Sequence, residues 1–202
     1  MKRSLQDLFL EIQMQVGTQL KKLNSNYKFI KMNASQLAET EYSGNFGTYI
    51  KEAGEGDLIE ELEISLHEFI RFVQNIPMDK FDYRYAEGKW TIKDIIQHIM
   101  DAERIFAYRA LRFSRNDKTA LPGFEEDDYA NNTNSNNRSI QELLTEFSAL
   151  RHSNLLFYKS LSQEQLKSIG TASNNQISVR ALGFVMIGHQ KHHQKVFQER
   201  YL

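Results

Sequence analysis

Apolar residues recur along most of this chain at intervals of three and four, the spacing that lines one face of an α-helix. The first stripe, Leu5, Leu8, Phe9, Ile12, Val16, Leu20 and Leu23, predicts an amphipathic helix over residues 2–24. A polar, less regular stretch follows, "NASQLAETEYSGNFGTYIKEAGEG", over residues 33–56. Asp57 then stands as the N-cap of a helix running to about Ile76, with Leu58, Leu62, Leu66, Phe69 and Val73 on one face and Pro77 to stop it. Thr91, with Asp94 three residues on, forms a capping-box variant that opens the next helix, to about Arg115. That helix is apolar over a wide arc, from Ile92 and Ile95 through Ala102 and Phe106 to Phe113. The following 22 residues, "NDKTALPGFEEDDYANNTNSNN", show little periodicity, and so long a connection is usually functional or a crossover. Ser139 and Glu142 cap a third helix, to about Ser160, striped by Ile140, Leu143, Phe147, Leu150, Asn154 and Phe157. Ser162 opens a short helical turn, and Ser178 caps a last long helix ending near Arg200. Four long helices with one long connection between the second and third predict an all-α fold, a four-helix bundle. Residues 1–45 read as an N-terminal helical extension and residues 46–202 as the bundle domain. Met32 offers an alternative start that would make residues 1–31 dispensable, and an ordinary N-terminal helix packed on the domain is the other reading.

Composition supports this reading and removes several function classes. The chain has 202 residues and only two prolines, Pro77 and Pro122, which suits long uninterrupted helices. Lys and Arg number 25 against 26 Asp and Glu, so there is no electrostatic footprint for nucleic acid or for an anionic membrane. No apolar run approaches the ~20 residues of a membrane helix. The opening "MKRSLQDLFLEIQMQVG" lacks the apolar block of a signal peptide. Cysteine is absent, which fits a cytoplasmic protein and removes any protein thiol as nucleophile or ligand.

Candidate chemistry lies in the histidines. "GHQKHHQKVF", residues 188–197, holds three of the six. On the last helix the stripe Val179, Leu182, Met186, His189, His193, Val196 puts His189 and His193 in slots that apolar residues fill elsewhere. Four positions apart, they lie one turn above the other, about 40° apart around the axis. His98 falls on the inward line Ile95, His98, Ala102, Ile105. His192 sits off the stripe among Lys191, Gln194 and Lys195, while His67 and His152 lie on polar faces. Three buried imidazoles cost free energy unless each finds a partner. Spacing leaves two solutions open: hydrogen-bonded core histidines, or a divalent-metal site built from an i, i+4 pair and one histidine of another helix. As a metal site, three imidazoles leave a coordination position free, the pattern of a catalytic centre, and suit zinc, nickel, copper or iron alike. No Glu-x-x-His or HExxH pattern occurs, which disfavours di-iron and zincin chemistry.

Three segments together, "RYAEGKWTIKDIIQHIMDAERIFAYRALRFSR", "LPGFEEDDYA" and "SVRALGFVMIGHQKHHQKVFQERYL", resemble the DinB-like superfamily, in the branch described as metal-dependent hydrolases. The resemblance covers roughly Tyr49 to Leu202. It rests on the combination of GKW-[ST]-x-x-[DE]-x-x-x-H, the LPGF loop and the late HxxxH. It implies a four-helix bundle with a long middle connection and a metal, zinc or nickel, held by His98, His189 and His193. Members include bacillithiol S-transferases and mycothiol-dependent maleylpyruvate isomerase, so a low-molecular-weight thiol cosubstrate is implied as an option, and dimers are common. The nucleophile would then be a metal-bound water or a cosubstrate thiolate, acting on a small molecule. The competing class is a non-catalytic stress-associated binding module or a dimeric helical scaffold whose histidines are merely buried.

Several neighbours carry two readings each. Asp101 suits a second-shell acceptor for an imidazole, or a surface charge near Arg104. Arg109 suits an anionic substrate, or a carboxylate of a neighbouring helix. Glu103 sits beside apolar positions of the same helix. Tyr108 suits a proton donor, or packing. Trp90, just before the N-cap, suits a hydrophobic staple. Arg180 lies nearly opposite the histidine pair, as a structural ion pair would. Gly183 and Gly188 imply close helix packing. The loop Leu121–Tyr129 walls a pocket or crosses the bundle end, and its acids lack the spacing of an EF-hand.

Overall fold

The computed structural model describes residues 31–202, and Met32–Leu202 forms one compact unit. The helix expected over residues 2–24 lies outside the described residues. The elements are α1 (Phe46–Ala53), α2 (Leu58–Gln74), α3 (Ile92–Ser114), α4 (Glu126–Asn131), α5 (Ile140–Lys159), α6 (Gln163–Leu166), β1 (Ile169–Ala172), β2 (Asn175–Ser178) and α7 (Val179–Arg200). The bundle is α2, α3, α5 and α7, with the long connection between α3 and α5. Among the described residues no helix is long and apolar enough to cross a membrane.

Each long helix starts where its capping residue stands. Asp57 Oδ1 accepts the amides of Ile59 and Glu60 at 3.0 and 3.3 Å, satisfying two of the first-turn donors that a helix leaves open. Thr91 and Asp94 cap α3 reciprocally, at 2.9 and 3.1 Å. Ser139 with Glu142, and Ser162 with Gln165, form capping boxes, and Ser178 Oγ accepts the Ala181 amide.

The apolar core falls into two clusters. One joins the C-terminal half of α2 to the N-terminal halves of α3 and α5 and the end of α7, around Phe69, Ile96, Phe147 and Phe197. The other joins α1, the start of α2, the second half of α3 and the first half of α7, around Leu62, Phe113, Phe184 and Ile187. On α2, α5 and α7 a polar layer separates them, with Ser65, Arg151, Asn154, His189 and Gln190 all buried.

The expected helical bundle stands, and the structure adds to it in three places. First, β1 and β2 form an antiparallel hairpin beside the helices, with Gly170 opposite Ile177. Its two turn residues, Ser173 and Asn174, have φ of 50° and 61°, the left-handed pair that suits the twist of a tight hairpin. Second, α1 lies inside the stretch read as irregular. Its eight residues are too few to be stable alone, and its stability comes from packing on α7. Gly188 permits that approach, since a Cβ there would overlap the Tyr49 carbonyl oxygen. Third, the long connection contains α4, and it docks on the hairpin through Leu121 N to Thr171 O and Ser173 N to Leu121 O, at 2.9 and 3.0 Å. Met32 is buried and its amide reaches Asp57 Oδ2 at 2.7 Å.

Residues 32–45 are anchored chiefly by Glu41, which pairs with Arg180 (Nε to Oε2, 2.7 Å) and accepts the Ser178 hydroxyl at 2.8 Å. Arg180 thus makes the structural ion pair its position suggests. Burial alone would raise the Glu41 pKa, but the Arg180 guanidinium and the Ala38 and Ser178 donors outweigh it and hold the carboxyl below its usual value. A carboxyl with a lowered folded-state pKa contributes stability that is present above its unfolded pKa and lost as pH falls through the folded one. Glu41→Gln should therefore cost about 3 kcal/mol near neutrality, because Arg180 stays buried and unpaired. The gap to the parent should close below the carboxylate range, where the parent loses the charge too. Urea unfolding of both proteins at stepped pH measures this, and a gap independent of pH would exclude the ionised pair as its source.

Candidate metal centre

α3 supplies His98, and α7 supplies His189 and His193 one turn apart. The bundle turns all three inward, and their Nε2 atoms converge. His98 Nε2 is 3.0 Å from His189 Nε2, and His193 Nε2 is 3.1 Å from the same atom. Candidate ligand nitrogens of all three lie within 4.8 Å of one another, and among the described residues no carboxylate joins the group. His98 and His189 are buried and His193 is half-buried. Burial pushes the His98 pKa down to about 4. His189 and His193 fall well below the ordinary histidine range, through burial first and neighbouring imidazoles second. At neutral pH all three rings are therefore neutral, each with one N–H and one lone pair.

That proton count tests whether the residues suit a metal. His189 Nε2 has a single in-plane position, a hydrogen or a lone pair, yet two imidazole nitrogens face it. No choice of tautomers makes both contacts good hydrogen bonds. His193 Nδ1 is buried with no partner among the described residues. Three lone pairs directed at one cation resolve the crowding. With N–metal bonds of about 2.0–2.1 Å and a near-tetrahedral angle, ligand nitrogens stand about 3.3 Å apart. The donor set and its spacing fit a divalent ion.

Aromatic rings pack around the imidazoles. Trp90 lies 4.9 Å from His98, ring centre to ring centre, while Tyr49 and Phe106 meet His189 edge-on at 5.2 and 5.8 Å. A cavity of about 320 Å³ opens on His98 and His189, walled by α1 (Phe46, Tyr49), α3 (Ala102, Phe106, Arg109), Phe124 and Glu126 of the long connection, and the hairpin (Ser173, Asn175). Burial, and then the Glu126 charge, raise the Tyr49 hydroxyl pKa, so the phenol stays protonated. A second cavity of about 280 Å³ reaches His193 beside Trp90, Tyr85 and Tyr201.

The other residues singled out in the sequence divide clearly. Among the described residues Asp101 touches no imidazole; it accepts from Gln97 Nε2 at 2.9 Å and pairs with Arg104. Arg109 meets no carboxylate among them and lines the larger cavity. Glu103 is buried against Arg151. Tyr108 is exposed and bonds Arg112. Trp90 packs against the cluster around Phe69 and Phe197 and also covers His98. His67 and His152 are exposed, whereas His192 is half-buried, edge-on to Tyr49 and His193. The acids of the long connection open α4 in solvent. Tyr49 is the site residue that the helix patterning missed. Phe46, Tyr49, Ile50 and Ala53 follow the i, i+3, i+4, i+7 rule, but over too few residues to stand out.

A model of the DinB superfamily matches residues 61–197. Among solved structures, YfiT from Bacillus subtilis, described as a probable metal-dependent hydrolase with an unusual four-helix bundle topology, aligns with a TM-score of 0.61. The two are 16% identical, over 86% of this chain and 90% of that one, a likeness of fold. No curated protein matches the chain.

Proposed function

The chain belongs to the DinB superfamily, and from that premise we propose that it is a divalent-metal-dependent enzyme that hydrolyses a small molecule at His98, His189 and His193. The observation that carries this reading is the convergence of the three Nε2 atoms beside a cavity of about 320 Å³. A zinc or nickel ion held there supplies a Lewis acid, which polarises a carbonyl and lowers the pKa of a water or a thiol. Burial keeps the three imidazoles deprotonated, so their lone pairs are available at neutral pH. Ala102 and Phe106 present an apolar wall, and Tyr49 offers a protonated hydroxyl as a hydrogen-bond donor to a substrate oxygen.

A second reading, transfer of a thiol cosubstrate to an electrophile, is favoured by the second cavity at His193, since such a reaction has two molecules to accommodate. The chain contains no cysteine, so the thiol would be external. The test is a panel of small esters, amides and electrophilic alkyl compounds, given to zinc-loaded, nickel-loaded and chelator-treated protein, with and without low-molecular-weight thiols. Turnover that needs metal and ignores thiol is the expected result. Turnover that needs both shifts the assignment to the transferase. Equal turnover by chelator-treated protein would falsify both.

A further inference from the structure

Arg109 is a buried cation without an anion. Its residue is 3% exposed, and among the described residues no carboxylate lies within ion-pairing distance. Its hydrogen bonds run from Nη2 alone, to the Pro122 carbonyl at 2.9 Å and the Ser173 hydroxyl at 3.0 Å. Both acceptors are neutral. A guanidinium has five N–H donors in a planar fork, so Nε and Nη1 keep three. Among the described residues neither atom has a partner, and the residue lines the larger cavity. Burial lowers the Arg109 pKa, in the direction expected for a cation held away from water without a counter-ion.

Its place in the cavity is set by helix geometry. His98, Ala102, Phe106 and Arg109 lie on one face of α3 and form one wall of the cavity. Eleven residues separate His98 from Arg109, about 16 Å along the axis, and helical side chains lean toward the N-terminus, which brings the guanidinium back toward the imidazoles. The wall is therefore polar at its two ends and apolar between them. We infer that Arg109 binds a carboxylate of the substrate, so that the cavity selects small monoanions whose reacting group sits at the histidines and whose acid lies beyond an apolar segment. A single negative charge fits best, because among the described residues Arg109 is the one Lys or Arg in the cavity wall and Glu126 is also there. Only the identity of the reacting end rests on the metal-enzyme reading above.

The test uses ω-mercaptoalkanoic acids of about three to six carbons, lengths within the reach of that wall, each beside its neutral primary amide. Both are titrated calorimetrically into the full-length protein, with and without one equivalent of zinc. The parent should bind the best acid about tenfold or more tighter than its amide, the expected size of a charge-assisted fork. Arg109→Met should abolish that preference and leave amide binding in place. Since Arg109 also ties the long connection to the hairpin, Lys118→Ala serves as a second variant: it removes another such tie, from Lys118 Nζ to the Ile169 carbonyl at 3.3 Å, lies outside the cavity wall and should keep the preference. Equal binding of acid and amide by the parent, no acid binding in either metal state, or a preference that survives Arg109→Met would overturn the assignment. Failure to take up zinc, with the acid preference intact, would remove the metal-enzyme reading and leave the carboxylate site standing.

Discussion

Alanine at His189 should abolish metal retention. His189 Nε2 faces both other imidazole nitrogens, so this one substitution removes the centre of the cluster. Two neutral imidazoles on separate helices remain, with no carboxylate among the described residues to replace the third. A ligand that binds only the folded state stabilises it by RT ln(1 + [L]/Kd), about 2.7 kcal/mol at a hundredfold excess over Kd. For a chain of this length that is about 5–10 °C in melting temperature. The parent should hold close to one equivalent of zinc or nickel and melt several degrees higher with it. His189→Ala should hold none and show no metal-dependent shift. His192→Ala is the control: that ring is half-buried but outside the converging set, and its removal should leave the equivalent in place. Elemental analysis and thermal melts with and without a chelator decide the matter. An equimolar metal surviving in His189→Ala, or a parent melt indifferent to metal, would return the histidines to the status of core polar residues.

How much of this was legible in the sequence depends on what kind of interaction places each part. The four long helices could be read because their stripes run for five or six turns and their caps are local hydrogen bonds, as with Thr91–Asp94 and Ser139–Glu142. The inward histidines were legible for the same reason: His98, His189 and His193 occupy slots in apolar stripes. α1 was not legible, because its helix depends on a contact nearly 140 residues away, Gly188 beneath Tyr49. The hairpin was not legible either. Its strands have four residues each, and their pairing is completed by Tyr42 and Leu121 from remote segments. The cavity is built largely from these two elements and the long connection. The histidine side of the cavity is thus written in helical periodicity, whereas the walls facing it are written in long-range contacts. That division explains why Arg109 could be singled out while its partners, Pro122 and Ser173, could not. It also explains why Glu103 looked merely adjacent to apolar positions, since its partner lies on another helix.

Glu103 carries the second large expectation. Arg151 is fully buried and forks onto it, Nε to Oε1 and Nη2 to Oε2, both at 2.8 Å. The remaining guanidinium donors reach Ser65 Oγ at 2.9 Å and Gln190 Oε1 at 3.0 Å, and Asn154 Nδ2 donates to Glu103 at 3.0 Å. Every charge in this layer is satisfied, so removing one partner costs more than the pair itself contributes. Glu103→Ala leaves a guanidinium in the core with neutral acceptors only, and should destabilise the fold by about 3–5 kcal/mol. Replacing both partners, Glu103→Leu with Arg151→Met, removes the stranded charge and should recover most of that loss. Denaturant unfolding of the single and double variants measures both terms. A single-variant loss below about 1 kcal/mol, the range of an exposed pair, would contradict the burial of this network. The layer also reaches the metal centre through Gln190, the neighbour of His189 on α7, which donates to the Ser65 carbonyl at 2.9 Å and accepts from Arg151. Those bonds fix the rotation of α7 where His189 and His193 must face α3. The double variant should therefore regain stability without regaining all of the parent's metal affinity, because the apolar replacements fill the layer but leave Gln190 with only its bond to the Ser65 carbonyl.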